Sequence, residues 1–219
     1  MFSPSDPSSS RRIVVDPGSC TAADLAPAVR WLRSGGIVLF PTDTFYGLAA
    51  DPTSVRAIDT LFDVKGRDPR MAVPLIAGSR DDVTRGLGPL AGLSARLADV
   101  FWPGPLSIVL DASSHVAPGV HGGRGTVAVR VPDDGVARQL AHAHGGLITA
   151  TSANRSGAPP AARVADVDDV ARDRRVLVID AGPTPGGVPS TIVDARSGAP
   201  VLVRAGAIAW ERVLESLEA

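Results

Sequence analysis

Residues 35–67 read GGIVLFPTDTFYGLAADPTSVRAIDTLFDVKGR, and this stretch decides the fold. Ile37–Phe40 is a short apolar run bounded by Gly35-Gly36 and Pro41, the pattern of a buried strand. From Pro41 to Leu48 the chain carries the hydroxyls of Thr42 and Thr44, the carboxylate of Asp43 and the phenol of Tyr46. A loop held by a buried strand is a common seat for binding groups. From Ser54 the period changes, and Val55, Ile58, Leu61 and Phe62 fall on one face of a helix. Gly66 ends that helix and leaves Lys65 and Arg67 at its C-terminal edge. One strand–loop–helix unit thus offers hydroxyls at its start and two cations at its end. By pattern alone it is equally an ordinary α/β connection, with Lys65 an exposed helix-end charge.

Working outward, Thr21–Arg33 reads as a helix with Leu25, Val29 and Leu32 on one face. Pro27 fits it poorly unless the helix begins near Asp24. Ile13–Val15 is a short strand, and residues 1–12, MFSPSDPSSSRR, read as a disordered Ser/Pro-rich tail with no apolar segment of a signal peptide. Downstream, strands are expected at Val73–Ala77, Leu106–Leu110, Thr126–Val131 and Leu147–Thr151. Three more follow at Val176–Ile179, Thr191–Asp194 and Val201–Arg204. Helices are expected around Leu93–Phe101, Val136–Leu140 and Ile208–Leu217, and the Gly-rich His115–Gly125 as a mobile loop. Strands alternate with helices early and follow one another late. The order argues for a single α/β domain, residues 13–219, with a mixed parallel and antiparallel sheet.

Composition excludes several classes. A net charge of −1 gives no global basic field for RNA. One cysteine, Cys20, rules out an internal disulfide and a cysteine-based zinc site. No apolar stretch approaches the roughly 20 residues of a membrane span, so the chain reads as soluble and cytoplasmic. The four histidines, His115, His121, His142 and His144, show no ligand spacing and read as solvated.

Neither a P-loop nor a strand-linked G-x-G-x-x-G is present, so any phosphate must meet scattered side chains and backbone N–H groups. Residues 149–157, TATSANRSG, run from a strand into a turn with hydroxyls at Thr149, Thr151, Ser152 and Ser156, an amide at Asn154 and a closing glycine. Such a turn makes a concave anion site or caps itself. Arg130 interrupts the apolar strand around VAVRV; it either pairs with Asp133 or Asp134 or meets a ligand carboxylate or phosphate. Arg204 closes a strand, and Ser190-Thr191 place hydroxyls at the mouth of another.

The ordered motifs PTDTFYGL, KGR, FWPGPLSIVL, TVAVRVP, TATSANRSG, GGVPSTIVD and VLVRAG resemble the YrdC-like family, the threonylcarbamoyl-AMP synthases, in its short form without an appended C-terminal domain. The resemblance implies one α/β domain with a twisted mixed sheet, flanked by helices, around a large cleft. It implies formation of threonylcarbamoyl-adenylate and pyrophosphate from L-threonine, bicarbonate and ATP, for threonylcarbamoyladenosine in tRNA. Lys65 and Arg67 match the catalytic Lys-x-Arg pair near the phosphates. Thr44, Arg130, Ala150 and Ser190 match threonine contacts, and Arg67, Thr126, Ser152, Asn154, Pro160 and Arg204 match ATP contacts. Mg2+ would accompany the ATP, no metal would be held by the protein alone, and the product would pass to a tRNA threonylcarbamoyl-transferase complex. Direct tRNA contact would be weak.

One departure concerns the wall after the KGR motif. Many members carry Pro-Leu five residues after the arginine and then a histidine; here the stretch is Asp68-Pro69-Arg70-Met71-Ala72-Val73-Pro74-Leu75. Either the loop is two residues longer or Ala72-Val73 replaces Pro-Leu, and no histidine follows. Two other readings stand beside the synthase: an RNA-binding YrdC-like module without catalysis, and a carbamoyl-adenylating domain, whose relatives carry zinc-finger and acylphosphatase modules.

Overall fold

The computed structural model describes residues 11–155 and 157–218, so the tail expected over residues 1–10 and the hydroxyl of Ser156 lie outside the described residues. In chain order the first elements are β1 (Arg11–Val14), α1 (Ala22–Arg33), β2 (Ile37–Phe40), β3 (Gly47–Ala49) and α2 (Val55–Lys65). Next come β4 (Leu75–Ala77), α3 (Arg80–Leu87), α4 (Gly92–Phe101), β5 (Leu106–Asp111), α5 (Pro118–His121) and β6 (Thr126–Arg130). The chain continues through α6 (Gly135–His144), β7 (Leu147–Thr149), β8 (Thr151–Ser152), α7 (Asp168–Ala171), β9 (Val176–Asp180), β10 (Thr191–Asp194), β11 (Val201–Arg204) and α8 (Trp210–Glu218).

The mixed α/β class expected from the sequence holds, and its strands divide into two ladders. One runs β1-β9-β2-β3-β8 and the other β11-β10-β5-β6-β4-β7. They meet where β7 gives way to β8 across Ala150, so a single extended stretch serves both. β2 is apolar at every position because helices cover both of its faces. Ile37 and Leu39 join the core with α2, whereas Val38 and Phe40 join a second core with α1 and α6. Among the described residues no helix is long and apolar enough to cross a membrane.

Three expectations are corrected. Arg11 and Arg12, assigned to the tail, stand in β1, paired in parallel with Leu177 and Val178 of β9. Ladder bonds are blind to side-chain polarity. The Arg11 guanidinium stacks over Trp31 at 4.7 Å, and Arg12 pairs with Asp180. The α1 helix begins at Ala22 and holds Pro27 in its interior, its start fixed by a Thr21–Asp24 capping box. The 115–125 stretch is fastened rather than loose. Val116, Ala117 and Val120 are buried, Ala117 N–H donates to Pro52 O (2.8 Å) and Val73 N–H to Val120 O (2.8 Å). Gly122, at φ 55°, lies so close to Arg70 that an added Cβ would stand 2.4 Å from its carbonyl oxygen.

Candidate active site

β10, β5 and β6 lie side by side, and their alternate residues floor a cleft of about 620 Å³. At one end stand Ser107, Arg130 and Ser190; about 13 Å away, four strand residues along, stand Thr126 and Asp194. Ala128 and Ile192 keep the middle apolar. The register explains the grouping: Val109 pairs with Ala128, and Ile192 with both Ser107 and Arg204.

The first end is a chain of polar contacts. Ser107 and Ser190 share a hydroxyl–hydroxyl hydrogen bond of 3.0 Å, and Arg204 donates to the Ser190 carbonyl (2.7 Å) and hydroxyl (3.1 Å). Arg130 is buried, and its Nη1 donates to both carboxylate oxygens of Asp43 at 2.5 and 2.7 Å. Of the two readings the sequence leaves open, an acid partner or a ligand, the acid is present, but it is Asp43 and not Asp133 or Asp134. Asp134 instead caps α6 by accepting the Ala137 N–H, and Asp133 contributes only its backbone N–H to Asp43 (3.3 Å). Burial pushes the Asp134 carboxyl up, with the charge of Asp43 adding to it.

Above the floor, the loop after β2 folds on itself: Thr42 donates to Phe45 O (2.7 Å) and shares a hydrogen bond with Thr44 (3.2 Å). Facing it is the turn after β8. Gly66 takes the left-handed conformation and closes α2, which turns Lys65 inward rather than out to solvent. Lys65 is only 4% exposed, and its Nζ donates to Ser152 O (2.5 Å) and Asn154 O (2.8 Å). The expected exposed helix-end lysine is therefore a buried strut beneath the turn. Burial, with the charge of nearby Arg67 adding to it, lowers its pKa to about 8. Arg67 donates to Thr151 Oγ1 (3.0 Å) and Ala72 O (2.9 Å), while its Nε is buried without a partner among the described residues. Asn154 spends its Nδ2 on Arg155 O and Ala158 O and leaves Oδ1 buried and unpartnered.

Of the residues expected at the site, Thr44, Arg130, Ala150, Ser190 and Arg204 line the cleft, as do Arg67, Thr126, Ser152 and Pro160. Lys65 and Asn154 lie behind its wall. Sequence reasoning missed Ser107, Asp43 and Arg124, the last an exposed cleft-lining arginine between glycines. The acid in PTDT was the only visible hint of an Arg130 partner, 87 residues away. Leu75 opens β4, and Ala72, Val73 and Pro74 line the cleft, so this wall is apolar. His144 is also corrected: its side chain is 8% exposed, 3.7 Å from Asp51, and burial lowers its pKa, whereas His142 is exposed. Among the described residues no cluster of His, Cys, Asp or Glu is arranged to hold a metal.

Fold and site together define a mixed α/β protein with a two-ended, arginine-lined cleft. The Sua5/YciO/YrdC family model, described as telomere recombination, matches residues 30–206. A threonylcarbamoyl-AMP synthase of Chromohalobacter salexigens is 39% identical over 81% of this chain and 96% of its own. One from Bacillus subtilis is 35% identical over 91% of this chain and 58% of its own. The Sua5 protein of Pyrococcus abyssi, solved in complex with L-threonine, superposes with a TM-score of 0.83 at 31% identity, over 94% of this chain and 60% of that one. Escherichia coli YciO, at 22% identity and a TM-score of 0.80, supports the fold alone. The chain belongs to the Sua5/YciO/YrdC family.

Proposed function

We propose that the protein is a threonylcarbamoyl-AMP synthase, a nucleotidyltransferase that joins L-threonine, bicarbonate and ATP into threonylcarbamoyl-adenylate and pyrophosphate. The observation that carries this reading is one cleft with Arg130 and Ser190 on its floor, suited to a carboxylate, and Arg67 with the Thr151–Asn154 turn above it, suited to phosphates. The relatives named for this activity, and the Pyrococcus protein with threonine bound, support it.

The threonine carboxylate sits against Arg130 and Ser190, its side chain against Thr44 and Ala150. ATP enters as its Mg2+ complex. The cleft lining holds one carboxylate, Asp194, already bonded to Arg196, so the ATP phosphates and not a protein cage would hold the metal. The triphosphate lies along the Thr151–Asn154 turn, with Arg67, Thr126, Pro160 and Arg204 around the nucleotide. The threonine amine condenses with bicarbonate, releasing water, to give a carbamate whose oxygen attacks the α-phosphorus and expels pyrophosphate. Arg67 offsets charge on the phosphates directly, and Lys65 acts through the turn it holds, since its ammonium is spent on two carbonyls. The product then serves tRNA threonylcarbamoyl transfer.

Pyrophosphate release is measured with each amino acid in turn, with and without bicarbonate. Turnover is expected to need threonine, bicarbonate and Mg2+ together. Equal turnover without an amino acid overturns the reading.

A further inference from the structure

Of the arginines that line the cleft, Arg67 is tied to Thr151 and Ala72, Arg130 to Asp43, and Arg204 to Ser190. The remaining one, Arg124, has no side-chain partner among the described residues. Its backbone, by contrast, is fastened. Arg124 N–H donates to His121 O (3.0 Å), Gly125 N–H to His121 Nδ1 (3.3 Å), and Gly125 O accepts from Ala112 N–H (2.9 Å). The one carboxylate of the lining, Asp194, is gripped on both oxygens by Arg196, at 3.0 and 2.7 Å. A free guanidinium on a fixed post keeps its whole set of donors for a ligand.

Its place says which group that ligand presents. Arg124, Thr126, Ala128 and Arg130 alternate along the chain and all line the cleft, so the two arginines close opposite ends of one row. In the synthase reading, on which this inference rests, an amino acid held at Arg130 and Ser190 brings its carbamate oxygen from that end. Phosphoryl displacement keeps the entering and leaving oxygens roughly in line. The bond to the departing pyrophosphate therefore points down the row, past Thr126 and toward Arg124. Negative charge gathers there as the bond breaks. Without Arg124 that end would oppose it, because two carboxylates, Asp111 and Asp194, share the single charge of Arg196.

We infer that Arg124 is a further catalytic residue, a loop-borne cation that receives the pyrophosphate leaving group at the end of the cleft opposite the amino acid. Arg124→Gln removes the charge from an exposed, unpartnered side chain, so the melting temperature is expected to stay that of the parent. Calorimetry with magnesium pyrophosphate is expected to show binding about tenfold weaker than in the parent, while the affinity for AMP is kept. In steady state the KM for ATP rises and kcat falls, with the KM for threonine unchanged. A merely structural Arg124 would lower the melting temperature, or weaken AMP and pyrophosphate alike. Arg124→Glu reverses the charge and is expected to weaken pyrophosphate further than Arg124→Gln does; this arm decides the matter if Arg124→Gln does not fold. A folded variant of either kind with pyrophosphate affinity within about twofold of the parent overturns the inference, as does an equal loss of AMP affinity. Failure of the synthase reading shows separately, as amino-acid-independent turnover in the parent.

Discussion

On the wall above the floor, Arg67 and, behind it, Lys65 lean on neutral oxygens, those of Thr151, Ala72, Ser152 and Asn154. On the floor, Arg130 leans on the carboxylate of Asp43. Neutral acceptors orient a cation and leave its charge whole. A carboxylate orients it and subtracts the charge. The contrast shows how one cleft can be made to favour multiply charged phosphates at its wall and a singly charged group beside Arg130, although both seats are built from arginine.

The contrast breaks most visibly at Arg67. Its replacement by Ala removes a preorganised full charge from the phosphate seat, and single-turnover adenylate formation is expected to fall by roughly a hundred- to a thousandfold. A fall of less than about tenfold would place the phosphates elsewhere.

On the floor, Arg130→Ala removes a desolvated charged contact. Threonine affinity is expected to drop roughly ten- to a hundredfold, with ATP affinity largely kept, as read by calorimetry. The same change strands the carboxylate of Asp43. The removal of Asp43 in the same protein, as Arg130→Ala/Asp43→Asn, is therefore expected to recover melting temperature without recovering threonine binding.

Lys65 gives the next effect, and it is one of stability. Lys65→Ala leaves the Ser152 and Asn154 carbonyls without their donor, which costs about 1–3 kcal/mol in urea unfolding. An exposed lysine would give far less, so a value under about 0.5 kcal/mol would return Lys65 to the surface.

The smallest effect is a pH slope. The folded chain releases the Lys65 proton near pH 8, whereas a free lysine releases it at 10.5. Between those values the unfolded chain holds more protons, so stability is expected to rise with pH across that window. The urea midpoint compared at pH 7.5 and 9.5 is expected to rise in the parent and less so in Lys65→Met. An equal slope in both would mean that the ammonium is not desolvated.

Much of the architecture was legible before the structure. The period change at Ser54, the stop at Gly66 and the apolar strands are local signals, and each lies within a residue or two of the observed boundary. The facing of a side chain was not legible where it depended on a distant partner. Nothing near Lys65 says that the carbonyls of residues 152 and 154 pass over it, and nothing near Arg130 favours Asp43 over the two acids that follow it in sequence. The anchoring of residues 115–125 was hidden for the same reason: glycine content signals permitted conformations, and hydrogen bonds to the Pro52 carbonyl and from the Val73 N–H then select one. Nine of the expected site residues nevertheless line one cleft, because ordered motifs carry tertiary information that periodicity lacks.

Lys65 is the only lysine of the chain, against many arginines, and it is shut away under the cleft wall. Guanidinium groups do not react with mixed anhydrides at neutral pH, whereas free amines do. A protein that forms an acyl-phosphate-type product would thus expose no side-chain amine for that product to acylate. The same scarcity makes a natural reporter: an amine-reactive probe reaches Lys65 only when the Thr151–Asn154 turn lifts. The rate of its labelling then times the opening of that wall, and a bound nucleotide is expected to slow it.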